Sequence, residues 1–175
     1  MDLKEYIRSI PNYPKKGILF RDITTLIKNE KAFSETINLI VERSKNFEFN
    51  KIAAVESRGF VFASPVSYLL KKPFILLRKK NKLPAERYSV DFELEYGTAT
   101  IEMHKDSINK NDRVLIIDDL IATGGTAKAA AEIIEMSNGK VSGFIFVINL
   151  FDLGGYDNLK TKNYKVENLI EFPGH

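Results

Sequence analysis

The chain contains no cysteine and no tryptophan. It can therefore form no disulfide framework, thiol nucleophile or cysteine-ligated zinc site. Its two histidines, His104 and His175, are too few and too scattered for a metal triad, so no protein metal site is expected and neither is given a catalytic role. No stretch approaches the ~18 apolar residues of a membrane span. Residues 1–10 are charged and amphipathic rather than a basic start followed by a long apolar run. There is no Gly-x-Ser-x-Gly elbow for acyl transfer, no Gly-x-x-x-x-Gly-Lys-Ser/Thr phosphate loop and no Gly-x-Gly-x-x-Gly dinucleotide fingerprint. These absences lead us to expect an unprocessed, soluble protein of the reducing cytoplasm. An excess of one charge is missing too: 26 Lys+Arg against 23 Asp+Glu leave a net +3, too little for wholesale nucleic-acid or membrane binding. Any anionic partner must be held by local clusters.

What is present is 175 residues with 44% hydrophobic and 28% charged content, which fits one domain over 1–175 with material for a core. No repeat or low-complexity linker divides it. Leu3, Tyr6, Ile7 and Ile10 have helical spacing, which predicts a short helix ended by Pro11 and Pro14, followed by an irregular stretch over 11–25. Phe33, Ile37, Ile40, Val41 and Ser44 predict a helix over about 30–46. Residues 52–55 form a short apolar run that enters Glu56-Ser57-Arg58-Gly59 and a helix to about Leu70. Residues 74–77 form another, ending in the basic run Arg78-Lys79-Lys80-Asn81-Lys82. Weak alternation over 83–103 predicts a projecting hairpin or loop. Residues 114–117 are apolar without a break and mostly β-branched, typical of a strand buried on both faces, and the strand is expected to stop at Asp118-Asp119. A helix follows over 127–137 with Gly139 as its C-terminal cap, then a strand over 141–150. The repeated strand, loop and helix predict an α/β fold, a mainly parallel sheet flanked by helices, with its ligand site at the C-terminal ends of the strands.

The densest chemistry lies in residues 114–126. A buried strand delivers Asp118 and Asp119, and Ala122-Thr123-Gly124-Gly125-Thr126 then opens a helix. Glycines let backbone N–H groups approach phosphate oxygens, threonine hydroxyls add donors, and a helix N-terminus favours an anion. Carboxylates suit hydroxyls, such as a ribose diol, or a metal ion. A bare Gly-Gly-Thr is also common in ordinary turns. The apolar strand, paired Asp and small-residue loop together are far more specific.

Strand, Asp-Asp and the Thr-Gly-Gly-Thr loop resemble the 5-phosphoribosyl 1-pyrophosphate signature of the type I phosphoribosyltransferase family. Further segments resemble its adenine-using members: Gly17-Ile18-Leu19-Phe20-Arg21-Asp22-Ile23, Glu56-Ser57-Arg58-Gly59-Phe60, Arg78 to Pro84, and Leu94-Glu95-Tyr96-Gly97. So do Phe151-Asp152-Leu153-Gly154-Gly155 and Phe172-Pro173-Gly174-His175, so the likeness spans nearly the whole chain. It implies transfer of ribose 5-phosphate to N9 of adenine, giving AMP and pyrophosphate in purine salvage. Ala122, Thr123, Gly124, Gly125 and Thr126 would hold the 5-phosphate, and Asp118 and Asp119 the ribose hydroxyls. Ser57 and Arg58, in a turn of unusual peptide geometry, would meet pyrophosphate together with Arg78, Lys79 and Lys82.

By the same resemblance Leu19, Phe20 and Arg21 form the adenine site, the ring stacking on the base and backbone groups reading its edge. Without it, Phe20 reads as core. Glu95 and Tyr96 would be the catalytic pair on a flexible hood, and Mg²⁺ would arrive bound mainly through the donor's pyrophosphate. The implied partners are adenine and the donor, with no nucleic acid or membrane, and a second copy in a homodimer. Two other readings share the donor site: a phosphoribosyltransferase for a 6-oxopurine, and a non-catalytic sensor of the donor.

Overall fold

The computed structural model describes residues 1–94 and 97–175. After a 3₁₀ turn at Leu3–Tyr6 come β1 (Arg8–Pro11), β2 (Leu19–Asp22), α1 (Thr24–Ile27), α2 (Glu30–Ser44) and β3 (Lys51–Val55). Next are α3 (Arg58–Leu70), β4 (Phe74–Lys79), β5 (Arg87–Leu94) and β6 (Gly97–His104). The chain closes with β7 (Arg113–Ile121), α4 (Gly125–Met136), β8 (Lys140–Leu150), α5 (Gly155–Thr161) and β9 (Val166–Phe172).

The main sheet has seven strands in the order β5-β6-β4-β3-β7-β8-β9. From β4 to β9 every pairing is parallel. β5 and β6 form the antiparallel hairpin expected over 83–103, joined to the sheet where Arg78 and Lys79 of β4 meet β6. Strand alternation explains the two-sided core. Ala53, Val55, Val114 and Ile116 face α4, whose Ala127, Ala130 and Ile134 are buried against them. Ile52, Ala54, Leu115 and Ile117 face the other way, onto Ile37 and Ile40 of α2 and Phe62, Ala63 and Val66 of α3. The Asn29 side chain starts α2 by accepting the Ala32 N–H at 3.0 Å.

Three local expectations are revised. The apolar stripe of the first ten residues is real, since Leu3 and Ile7 are buried, but helix gives way to strand at Arg8. There β1 pairs with β2 in the stretch expected to be irregular. Strand β7 continues through Asp118 and Asp119 to Ile121 because β8 offers partners to that length. At the end of α4, Asn138, not Gly139, adopts the left-handed conformation, with φ of 65°. The Asn138 N–H donates to the Glu135 carbonyl and the Gly139 N–H to the Ile134 carbonyl, the hydrogen-bond pair of a Schellman cap. Gly139 is needed for space, since a Cβ there would lie 2.9 Å from the Ile108 Cγ2.

Candidate active site

A cleft of about 840 Å³ opens at the C-terminal ends of β3 and β7, beneath the β5–β6 hairpin. Its floor is the turn after β3, with Glu56, Ser57 and Arg58, and the end of β7 with Asp118, Asp119 and the loop 122–126. Lys79 and Lys80 line one side, and Phe20 and Tyr13 another. The Glu56–Ser57 peptide is cis.

Asp118 and Asp119 sit on successive positions of β7. The Asp119 N–H donates to Asp118 Oδ1 at 2.9 Å, and Asp119 Oδ2 lies 3.1 Å from Arg58 Nε. Burial and the neighbouring Asp119 charge push the Asp118 carboxyl well above the usual carboxylate range. Hydroxyl donors are the natural partners for such a pair. Helix α3 comes close: a Cβ on Gly59 would sit 2.8 Å from Asp118 Oδ1 and 3.3 Å from the Ile117 carbonyl oxygen.

The loop 122–126 is shaped from both sides. Gly124 takes φ of 91° just before α4, a conformation that strongly favours glycine. The Gly155 N–H donates to the Ala122 carbonyl at 3.0 Å. A Cβ on Gly155 would lie 2.5 Å from that oxygen and 2.7 Å from Gly124 N, so the two loops meet backbone to backbone.

On the aromatic side, Tyr13 meets the Phe20 ring edge to face at 5.2 Å, and the Arg58 guanidinium lies 5.6 Å over the Phe20 ring. The same arginine thus reaches both Phe20 and Asp119. Arg21 points elsewhere. Its guanidinium donates to Ser9 Oγ at 2.5 Å and the Pro173 carbonyl at 2.9 Å, and lies 4.4 Å over the Phe172 ring. The C-terminal segment is pinned in turn by the Gly174 N–H on Asp152 Oδ1 at 2.6 Å.

Of the sequence-predicted residues, Phe20, Ser57, Arg58, Lys79, Asp118, Asp119 and 122–126 converge on the cleft. Leu19, Arg21, Arg78 and Lys82 are not among its walls. Arg78 Nε and Lys82 Nζ instead lie 3.3 and 2.9 Å from Glu56. Glu95 and Tyr96 lie outside the described residues. Sequence reasoning missed Tyr13, Glu56, Lys80 and Gly155. Tyr13 sits in a stretch read as irregular, and no period marks it. Lys80 was within the basic run, but only geometry tells which of its cations face inward. His104 has a structural role, its Nε2 accepting the Ala85 N–H at 3.2 Å. Among the described residues, no group of three or more His, Asp or Glu side chains could hold a metal ion, and no helix is long and apolar enough to cross a membrane.

A parallel sheet with a small-residue anion loop behind an Asp pair defines a protein built around a phosphorylated sugar. Residues 22–173 match the phosphoribosyl transferase domain family. Over all 175 residues the chain is 77% identical to an adenine phosphoribosyltransferase of Pelagibacter ubique, covering 100% of both. The crystal structure of adenine phosphoribosyltransferase from Thermoanaerobacter pseudethanolicus superposes with a TM-score of 0.93 at 44% identity, over 98% of each chain. That of the Saccharomyces cerevisiae enzyme, complexed with an imino-altritol bisphosphate and adenine, gives 0.88 at 34% identity over 97% of each. The chain belongs to the adenine phosphoribosyltransferase family.

Proposed function

We infer that the protein transfers the 5-phosphoribosyl group from 5-phosphoribosyl 1-pyrophosphate to N9 of adenine, releasing AMP and pyrophosphate, as a purine-salvage enzyme. The observation that carries the reading is the convergence on one cleft of an anion loop, a paired-Asp strand end, a basic turn and an aromatic face.

In this reading residues 122–126 hold the 5-phosphate through loop N–H groups at the start of α4. Asp118 and Asp119 accept hydrogen bonds from the ribose hydroxyls, fixing the sugar at its other end. Ser57, Arg58 and Lys79 face the pyrophosphate, with Arg78 and Lys82 behind them on Glu56. Phe20 supplies a stacking face for the base, with Leu19 and Arg21 contributing backbone groups. Pinning both ends of the sugar aligns N9 with C1, and the cations stabilise charge building on the leaving pyrophosphate. Mg²⁺ would enter with the donor, held mainly through its pyrophosphate, and the Asp119 carboxylate on the cleft floor is a hard oxygen donor that fits such an ion. When bound, the ion would neutralise part of the pyrophosphate charge. Glu95 and Tyr96 are assigned the proton transfer at the purine and closure over the site. We further propose that 1–175 acts as one domain, in the cytoplasm, as a homodimer.

The test offers purified protein with Mg²⁺ and 5-phosphoribosyl 1-pyrophosphate each of adenine, hypoxanthine, guanine and xanthine, following nucleotide and pyrophosphate. AMP from adenine alone is expected. Product from a 6-oxopurine instead would overturn the reading of 19–21, and donor binding without product from any base would overturn the enzymatic reading.

A further inference from the structure

The run 78–82 carries four cations within five residues, Arg78, Lys79, Lys80 and Lys82. Left alone, such a run repels itself and spreads into solvent. Here it is held by two carboxylates, one in the turn after β3 and one in β6, the two strands flanking β4. Glu56, just past the end of β3, accepts the Lys79 N–H at 2.6 Å and lies 2.9 Å from Lys82 Nζ and 3.3 Å from Arg78 Nε. Glu102, in β6 opposite Arg78, accepts the Asn81 N–H at 2.5 Å, Arg87 Nε at 2.5 Å and the Ser89 hydroxyl at 2.9 Å. Both are almost wholly buried, their side chains 7% and 3% exposed.

The two carboxylates divide the loop's work. They fix its backbone at alternate residues, Lys79 and Asn81, and Asn81 turns the chain at φ of 66°. Glu56 takes up Arg78 and Lys82, while Lys79 and Lys80 line the cleft. Glu56 is also the residue before Ser57 and Arg58, so both cationic walls of the cleft hang from it. Glu102 ties the same loop to the hairpin through Arg87 and Ser89 of β5. Charge-assisted hydrogen bonds onto buried carboxylates are among the stronger fixings a loop can have. Burial would raise both carboxyls, but their donors outweigh it and hold them below the usual carboxylate range, so both are anionic at neutral pH.

We propose that Glu56 and Glu102 are positioning residues for the pyrophosphate group, a two-carboxylate bracket that sets the backbone of 78–82 so that Lys79 and Lys80 face the cleft. This rests on the reading of the cleft as a pyrophosphate site. Neither carboxylate touches the reacting atoms. Each acts through the loop.

The test compares wild type with Glu102→Gln, Glu102→Asp and Glu56→Gln in three measurements: kcat and KM for each substrate, titration with Mg²⁺ and inorganic pyrophosphate, and the thermal midpoint. Glu102→Gln keeps size and one acceptor but loses the charge. It is expected to raise the donor KM and weaken pyrophosphate binding about fivefold to tenfold, with the adenine KM within about twofold and the protein still folded. Glu56→Gln should behave alike, and Glu102→Asp should recover part of the loss. Equal rises in both KM values, or an unchanged donor KM and pyrophosphate affinity in folded variants, would overturn the bracket. If Glu102→Gln fails to fold, Glu56→Gln decides by the same criteria. Wild-type protein that binds pyrophosphate but makes no AMP would sink the enzymatic reading alone, since the pyrophosphate titration still tests the bracket.

Discussion

Asp22 closes the strand that carries Phe20, and its surroundings make it an acid-sensitive anchor. It accepts the Thr24 N–H at 2.9 Å and pairs with Arg8. Burial alone would raise its carboxyl, but the hydrogen bonds from Thr24 and Arg8 outweigh that and bring it from 3.8 to about 2. The folded protein therefore binds fewer protons here than the unfolded chain between about pH 4 and 2. The stabilisation is fully present above the ordinary carboxylate range and is lost as pH falls through the folded value. Its size is about 2 kcal/mol. Asp22→Asn should cost about that much at pH 7 and flatten the fall in stability below about pH 4. Urea unfolding across that range measures both, and parallel acid limbs would remove Asp22 from the account. Gly59 is the second sensitive residue. A methyl group there meets the Asp118 carboxylate and a β7 carbonyl, so Gly59→Ala should destabilise by about 1–3 kcal/mol. It should also lower kcat/KM for the donor about tenfold by displacing Asp118. Loss of stability with unchanged donor kinetics would show that Asp118 tolerates the shift.

Between elements, the decisive contact is the loop before α5 on the loop before α4. Gly155→Ala would drive its Cβ into backbone that cannot rotate away, at the Ala122 carbonyl and Gly124 N. The expected outcome is a donor KM raised about tenfold with the adenine KM within about twofold; steady-state kinetics with each substrate varied decide it, and an unchanged donor KM would mean that the loop is not held by this contact. That contact also marks where sequence stops being informative. Helices α2, α3 and α4 and strands β3, β4, β7 and β8 were legible because their signals are local: a helical period, or an apolar run ended by turn chemistry. The site residues on them followed, since the anion loop and Asp pair are contiguous in sequence. Strand β2 was not legible, because its order comes from pairing with β1, and β9 went unread because its edge position leaves it half-buried, with little alternation. Nor could sequence show that Arg21 turns to Pro173 and Phe172, or that Arg78 and Lys82 turn to Glu56. Each is a choice among partners distant along the chain.

Among the large apolar side chains that the described residues expose, three sit on one pair of adjoining elements. Tyr68 and Leu69 at the end of α3 are 82% and 50% exposed, and Leu76 of β4 is 41% exposed. The two elements are joined by Phe60 and Phe74, packed edge to face at 5.5 Å. Strand β4 meets β6 only at Arg78 and Lys79, which leaves its earlier residues bordered on one side by β3 alone. An exposed aromatic and two leucines beside an incompletely covered strand suit burial by another protein surface. If the proposed second copy covers this face, a two-fold contact there would brace the basic loop in both subunits, because β4 runs directly into it. The expected mass by light scattering is about twice 19.9 kDa for the wild type. Tyr68→Asp and Leu76→Lys, each introducing a charge that a dimer would have to bury, should shift the protein towards monomer and raise the donor KM as dilution proceeds. A wild-type monomer at tens of micromolar would dismiss the dimer, and a dimer unmoved by either substitution would put its interface on another face.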